Sequence, residues 1–253
     1  MKKEINWLLQ DKYNGKLPKD KLSQKNFKKD IRRLEKGEPL DYVIGFREFL
    51  GCKIDLSKRP LIPREETEFW VGFAIDSVKN SKIKNPKCLD IFSGSGCIGI
   101  AVLANALNSL CDFADKDKKA LSQIKINLKN NFIKKSRYNV ISSDVFKKIK
   151  RKYDFIFANP PYIAFSKKSK IQKSVLKYEP KTALFAKKNG IYLIENFLKN
   201  VSLHLNSGGA VFMEFDSIQK NKIKKMIKKY GFNKFEIKKD QYNRDRWIEF
   251  YKN

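Results

Sequence analysis

CLDIFSGSGCIGIAVLANALNSLCDFAD, residues 88–115, carries the reading of the fold. Cys88–Ile91 is an apolar run of strand length, followed by a turn of small residues, Ser93 to Gly96. An apolar stretch of helical length runs from Ile98 to Asn108, and a second strand, Leu110–Ala114, ends at Asp115. Outward from this unit the alternation continues. A helix is predicted over Lys118–Asn130, strands over Asn139–Ile141 and Tyr153–Ala158, and a helix over Gly190–Leu205. A strand Ala210–Phe215 follows a Gly208-Gly209 turn, then a helix Asn221–Tyr230 and a last strand Trp247–Tyr251. Strands separated by helices imply an α/β fold with a parallel, doubly wound sheet. Such sheets bind ligands at the carboxyl ends of their strands.

Upstream, the pattern is different. Residues 1–36 set Trp7, Leu8, Tyr13, Leu17, Leu22, Phe27, Ile31 and Leu34 among lysines at helical spacing, which predicts two or three short amphipathic helices. Gly37-Glu38-Pro39 breaks them. Tyr42–Ile54 alternates aromatic and aliphatic residues around Gly45 and Gly51 and reads as a β-hairpin or extended connector, and residues 64–79 return to helical periodicity. The division expected is a short helical domain over 1–38, a hairpin connector over 39–62 and a Rossmann-like domain over 63–253.

The bulk chemistry narrows the class. At 253 residues with 42% hydrophobic and 13% aromatic content, the chain has enough apolar material for a real core. The longest largely apolar run, Cys97–Leu107, is too short to cross a bilayer, and the apolar part of the opening MKKEINWLLQ is too short for a signal peptide. A cytoplasmic protein is expected. Cys52, Cys88, Cys97 and Cys111 show no paired spacing and His204 is the single histidine, so no metal site is expected and the thiols read as reduced and buried. The net charge of +28 would attract polyanions, but only nine of the 55 basic residues are arginine and the lysines are spread along the chain. That distribution speaks to solubility and steering more than to a dedicated phosphate reader.

Three strand ends carry candidate ligand groups. Small residues in Phe92-Ser93-Gly94-Ser95-Gly96 let the backbone approach a ligand and let the next helix start close to the sheet, although a plain tight turn would read the same way. Asp115 lies about 20 residues past that turn, where an acid accepts both hydroxyls of a ribose; its competing role is to cap the next helix, for which Asp117 is equally placed. Asp144, after the third strand, is placed to accept a hydrogen bond from an adenine amino group, with Val145 and Phe146 flanking the ring.

Asn159-Pro160-Pro161-Tyr162 closes the fourth strand on the same rim. Two prolines remove two backbone donors and fix φ, so the carbonyls there face outward as acceptors. The Asn159 side-chain oxygen and the Pro160 carbonyl then receive the two hydrogens of an –NH2 group, while Tyr162 gives a planar group a flat face. An amide or ring amine is a poor nucleophile because its lone pair is delocalised. Acceptors on both hydrogens raise electron density on nitrogen and aim it at a methyl donor, so that positioning replaces a strong base.

Here the sequence resembles a known family. Asn-Pro-Pro-Tyr at this place is typical of amino-group methyltransferases of the class I Rossmann-like fold, among them adenine-methylating DNA enzymes and the HemK/PrmC protein glutamine methyltransferases. The second group is the one the rest of the chain is similar to, through Arg33-Leu-Glu-Lys-Gly-Glu-Pro-Leu40, Tyr42-Val-Ile-Gly-Phe-Arg-Glu-Phe49 and Leu61-Ile-Pro-Arg-Glu-Glu-Thr-Glu68. Tyr178-Glu-Pro180, Ala183-Leu184, Glu214, Gln219, Asp240 and Arg244-Asp-Arg246 extend the likeness over residues 33–253.

The resemblance implies a doubly wound sheet whose last strand is antiparallel, S-adenosyl-L-methionine as cofactor, and peptide chain release factors as partners. The reaction implied is methylation of the glutamine amide in their Gly-Gly-Gln motif, which requires no membrane, metal or direct nucleic-acid contact. Catalysis falls to Asn159, Pro160 and Tyr162, and substrate binding to those three with Pro161. Cofactor binding falls to Phe92, Ser93, Gly94, Ser95, Gly96, Asp115, Asp144, Val145 and Asn159. The Ile62–Glu68 segment resembles the release-factor branch rather than the ribosomal-protein glutamine methyltransferases, and an adenine-N6 DNA or RNA methyltransferase is the other alternative. Three departures stand out. Phe92 occupies the place of the family's usual first glycine, and its Cβ is expected to force an ordinary φ. Glu65 replaces a usual proline, which would loosen its loop. The amino-terminal domain, which helps to grip the release factor in the family, is short.

Overall fold

The computed structural model describes residues 1–253. Its amino-terminal segment folds as two amphipathic helices, α1 (Lys2–Tyr13) and α2 (Lys21–Glu35). Asp20 opens the second by accepting the Ser23 amide at 2.8 Å, and Gly37 at φ 75° ends it. A short helix α3 (Leu40–Ile44) precedes the antiparallel hairpin of β1 (Phe46–Phe49) and β2 (Cys52–Asp55). Residues 42–44 are thus helical, where alternation suggested extended chain. Val43 and Ile44 are adjacent in sequence yet both bury against Leu8 and Leu34, which a strand would forbid by sending them to opposite faces. Arg33 anchors the turn by donating to the Tyr42 carbonyl at 2.7 Å.

The larger unit begins with α4 (Glu65–Lys79), then β3 (Lys87–Ile91), α5 (Cys97–Asn105), β4 (Leu110–Asp115), α6 (Lys118–Asn130), β5 (Tyr138–Ser142) and β6 (Tyr153–Ala158). A flap follows, made of β7 (Ile163–Ala164), α7 (Lys173–Tyr178), α8 (Lys181–Leu184) and β8 (Phe185–Ala186). The chain ends with α9 (Tyr192–Val201), β9 (Leu205–Glu214), α10 (Lys220–Lys229), β10 (Phe235–Lys239) and β11 (Asp245–Tyr251).

Seven strands form one sheet in the order β10-β11-β9-β6-β3-β4-β5. The pairs from β9 through β5 are parallel, and β11 alone runs against its neighbours. This is the expected class I Rossmann-like sheet with an antiparallel last strand. The central strands are apolar on both faces because both are covered. Cys88, Phe155, Phe157 and Phe212 point to the side of α4, α5 and α6, while Leu89, Ile156, Val211 and Met213 point to α9 and α10.

Three boundaries differ from the sequence reading. The Gly208-Gly209 pair sits inside β9: Tyr153 pairs with Leu205 but Phe155 with Ala210, so residues 206–209 form a bulge, with Gly208 at φ 71°. Helix α5 stops at Asn105, three residues short of Asn108, because Arg137 draws the carbonyls of Leu103, Ala106 and Ser109 onto one guanidinium at 2.9, 3.0 and 3.1 Å. Strand β10 is an addition, half-buried and paired only to β11.

Candidate active site

The ends of β3, β4, β5 and β6 lie on one rim around a cavity of about 340 Å³. Phe92, Ser93, Gly94, Ser95, Asp115, Asp144, Val145, Asn159 and Pro161 all line it. Gly96 does not. It caps α5 from beneath at φ 80°, where an added Cβ would stand 3.1 Å from Ile124 and 3.2 Å from Ile100. Its part is conformational.

Phe92 corrects an expectation. Its φ is 60°, in the left-handed region that the usual glycine would occupy, so the side chain does not force an ordinary backbone. The surrounding turn dictates this: Ser93 Oγ donates to the Asp90 carbonyl at 2.6 Å and accepts the Ala114 amide at 3.0 Å. The cost of a Cβ there is about 1 kcal/mol. The ring offsets it by packing toward Phe197, with centroids 6.3 Å apart.

Asp115 takes the amide of Gly94 on Oδ2 and that of Asp117 on Oδ1, both at 2.9 Å. Asp117 does the helix capping, accepting the Lys119 amide at 2.8 Å. Each Asp115 oxygen therefore keeps a lone pair while the carboxylate lines the cavity. Burial pushes its pKa up, against the backbone donors of Asp117, Gly94 and Lys116 that pull it down. Asp144 also lines the cavity and pairs with Lys147 at 3.1 Å, an exposed contact of little energetic weight. Phe146 does not flank the cavity. Val145 at φ 52° turns the chain, and Phe146 buries against Phe197 and His204, with centroids 5.5 and 4.5 Å away. Phe92, Val145 and Leu193 are among the cavity's apolar walls.

A second cavity of about 300 Å³ meets the first at Asn159 and is lined by Pro160, Tyr162, Leu61, Arg64 and Glu214. Asn159 Nδ2 donates to Glu214 Oε2 and to Thr67 Oγ1, each at 3.1 Å, which leaves its side-chain oxygen free. The Pro160 carbonyl accepts no backbone hydrogen bond. Tyr162 donates its hydroxyl to Glu214 Oε1 at 2.8 Å, and its own carbonyl accepts from Gln219 Nε2 at 3.0 Å. Burial first, then the Glu214 charge, pushes the Tyr162 phenol well above its ordinary range.

Several residues at this site were given no role by local reading. Glu214 is 1% exposed and also accepts Thr67 Oγ1 at 2.7 Å and Trp70 Nε1 at 2.8 Å. Glu179 holds the loop over both cavities, accepting the Ile62 amide at 3.1 Å and Arg64 Nη2 at 2.6 Å. The signal for Glu214 was present: it is the only charged residue in the apolar strand Ala210–Phe215 and stands at its carboxyl end. No group of three or more His, Cys, Asp or Glu side chains is arranged to hold a metal, and no helix is long and apolar enough to cross a membrane. All four cysteines are free and buried.

Comparison with known proteins gives the arrangement a family. The Methyltransferase small domain family matches residues 75–184. A release factor glutamine methyltransferase of Flavobacterium psychrophilum is 32% identical over 226 residues, 87% of this chain and 77% of the relative. One of Lactococcus lactis subsp. lactis is 33% identical over 218 residues, 86% and 78% of the two chains. Among solved structures, a methyltransferase from Pyrococcus furiosus superposes with a TM-score of 0.57 at 18% identity over 80% of this chain and 90% of that one, a likeness of fold. With identities above 30% across more than three quarters of each relative, the chain belongs to the release factor glutamine methyltransferase family, whose methyl donor is S-adenosylmethionine.

Proposed function

We propose that this protein methylates the side-chain amide of the glutamine in the Gly-Gly-Gln motif of bacterial class I peptide chain release factors, and does so in the cytoplasm. Its relatives are named for that substrate class. One observation carries the reading: Asn159, with its amide nitrogen turned inward and its oxygen free, stands where the two cavities meet.

The first cavity suits S-adenosylmethionine. At Gly94 an added Cβ would find its nearest neighbour only at 4.0 Å, so backbone and ligand can approach closely. Asp115 offers two acceptor lone pairs for a ribose diol, Asp144 an acceptor for an adenine amino group, and Phe92, Val145 and Leu193 apolar walls. When bound, the cofactor supplies an electrophilic methyl group on a positively charged sulfur. The second cavity takes the glutamine side chain. Asn159 Oδ1 and the Pro160 carbonyl accept its two N–H hydrogens, Tyr162 packs on its plane, and Pro161 stiffens the loop. Held this way, the amide nitrogen faces the first cavity with its lone pair enriched.

The helices of residues 1–38 and the connector over 39–62 are assigned to presenting the release factor to the domain formed by 63–253. Incubation with methyl-labelled cofactor and either a release factor or DNA tests the reading. Label should enter the release factor on the Gly-Gly-Gln glutamine. Label entering only DNA would overturn it.

A further inference from the structure

We infer that Glu214 is a specificity-determining positioning residue: by gripping Asn159 Nδ2 and Tyr162 OH together, it leaves only acceptors facing the substrate, so the site takes an amide and rejects a carboxylate. The inference rests on the glutamine-amide reading of the second cavity.

An asparagine side chain has two ends of similar size, and a half-turn exchanges donor for acceptor. In the observed orientation Nδ2 lies 3.1 Å from Glu214 Oε2 and from Thr67 Oγ1. Turned over, Oδ1 would face the carboxylate, acceptor against acceptor, and Nδ2 would face the substrate. Glu214 therefore decides which end the substrate meets. The threonine does not, because a hydroxyl can serve either end, but here its hydrogen goes to Glu214 at 2.7 Å and so it can only accept from Asn159. Tyr162 is constrained in the same way: its hydroxyl hydrogen is spent on Glu214 Oε1 at 2.8 Å. A phenol so occupied offers substrate its ring face and no proton.

Glu214 has the attributes this role needs. It lies at the carboxyl end of β9 between Asn159 and Tyr162, and four donors from four residues satisfy it. It is nearly fully buried, and no lysine or arginine forms an ion pair with it. A buried carboxylate with no cation within ion-pair distance is costly, and here the four donors offset that cost. Its negative charge beside the amide cradle adds a second selection, repelling a glutamate carboxylate that would otherwise fit the same volume.

Glu214→Gln is close to isosteric and replaces one acceptor oxygen by a donor. Three readouts on the same protein test the role. In native enzyme, the Asn159 side-chain N–H signals in an asparagine-labelled NMR spectrum should be slow to exchange and displaced from the free-amide position. In the variant they should move to the exposed-amide position while the rest of the spectrum is preserved. On a Gly-Gly-Gln peptide, kcat should fall roughly 100-fold with a smaller change in KM. The native preference for binding a Gly-Gly-Gln over a Gly-Gly-Glu peptide should narrow by at least about tenfold, a ratio that a merely structural role would leave alone.

Unchanged Asn159 signals together with unchanged peptide discrimination would overturn the inference. Should Glu214→Gln fail to fold, Thr67→Val removes one partner from each of Glu214 and Asn159 and should move the same readouts in the same direction, by less; no movement overturns the inference equally. If native enzyme binds neither peptide, the substrate reading falls, and the Asn159 signals, measured without substrate, still judge the positioning.

Discussion

Asp115 Oδ2 lies 2.9 Å from the Gly94 amide, so the acid that ends β4 also holds the turn that ends β3. One carboxylate thus shapes the cavity on this rim and supplies acceptors to it. Burial raises its pKa above the ordinary 3.8. Its contribution to stability is therefore complete below that value and is lost as pH rises through the raised value, where the fold must take up a buried charge. With Asp115 as the proposed ribose acceptor, binding of the diol needs the ionised form and strengthens over the same interval. Cofactor affinity followed by calorimetry should fall on acidification with a midpoint above 3.8. Asp115→Asn should weaken binding roughly 10- to 100-fold and flatten the acid limb. An Asp115→Asn protein that retained the native acid limb would assign it to the buried Asp90 instead, whose pKa burial also raises.

Phe92 sets backbone strain against ring packing, and two substitutions separate them. Phe92→Ala keeps a Cβ at φ 60° and discards the ring, whereas Phe92→Gly discards both. The glycine variant should be the more stable of the two by about 1 kcal/mol, opposite to the order expected where φ is negative. Urea unfolding of the pair is the measurement. Both should bind cofactor less tightly than the native chain, since the ring walls the cavity.

The sheet and its rim were legible because each strand end carries its own chemistry in consecutive residues: Ser93–Gly96, Asp115, Asp144, Asn159–Tyr162. What local reading lacked is what converges from afar. Thr67 and Glu214 are 147 residues apart and meet at 2.7 Å, and Glu179 reaches Arg64 from 115 residues away. Periodicity assigns such residues to a face but not to a partner. Phe146 was aimed wrongly because nothing in its neighbours announces that Val145 adopts φ 52°, which sends the next side chain into the core. Strand β10 escaped because its lysines and glutamate mask a two-residue alternation on an edge covered from one side only.

Arg137 gathers three carbonyls where α5 ends and the chain turns into β4. Lysine at this position carries the charge but is a single compact donor group in place of a planar fork. Arg137→Lys should cost about 1–3 kcal/mol through carbonyls left unpaired in a half-buried site. The loss should appear in the urea midpoint with cofactor affinity close to native, since Arg137 does not line the cavity. A large loss of cofactor binding at full stability would show that the α5 terminus controls the rim.

Gly190 packs directly on the loop Asn159–Tyr162. A Cβ there would stand 2.0 Å from the Tyr162 carbonyl and 2.9 Å from Gln219 Nε2, the group that holds that carbonyl. Its φ of 82° adds strain of about 1 kcal/mol for any other residue. Gly190→Ala therefore has to move Tyr162, and with it the bond from Tyr162 to Glu214, while the β3 and β4 ends lie apart from the clash. Methyl transfer to a release factor should fall by roughly 100-fold, as expected when a positioned group shifts by about 1 Å. Cofactor affinity should stay within a few-fold of native, because Asp115 and Gly94 keep their contact. If transfer and cofactor binding fell in parallel, the two cavities would be mechanically one, and the separation of roles across Asn159 would fail.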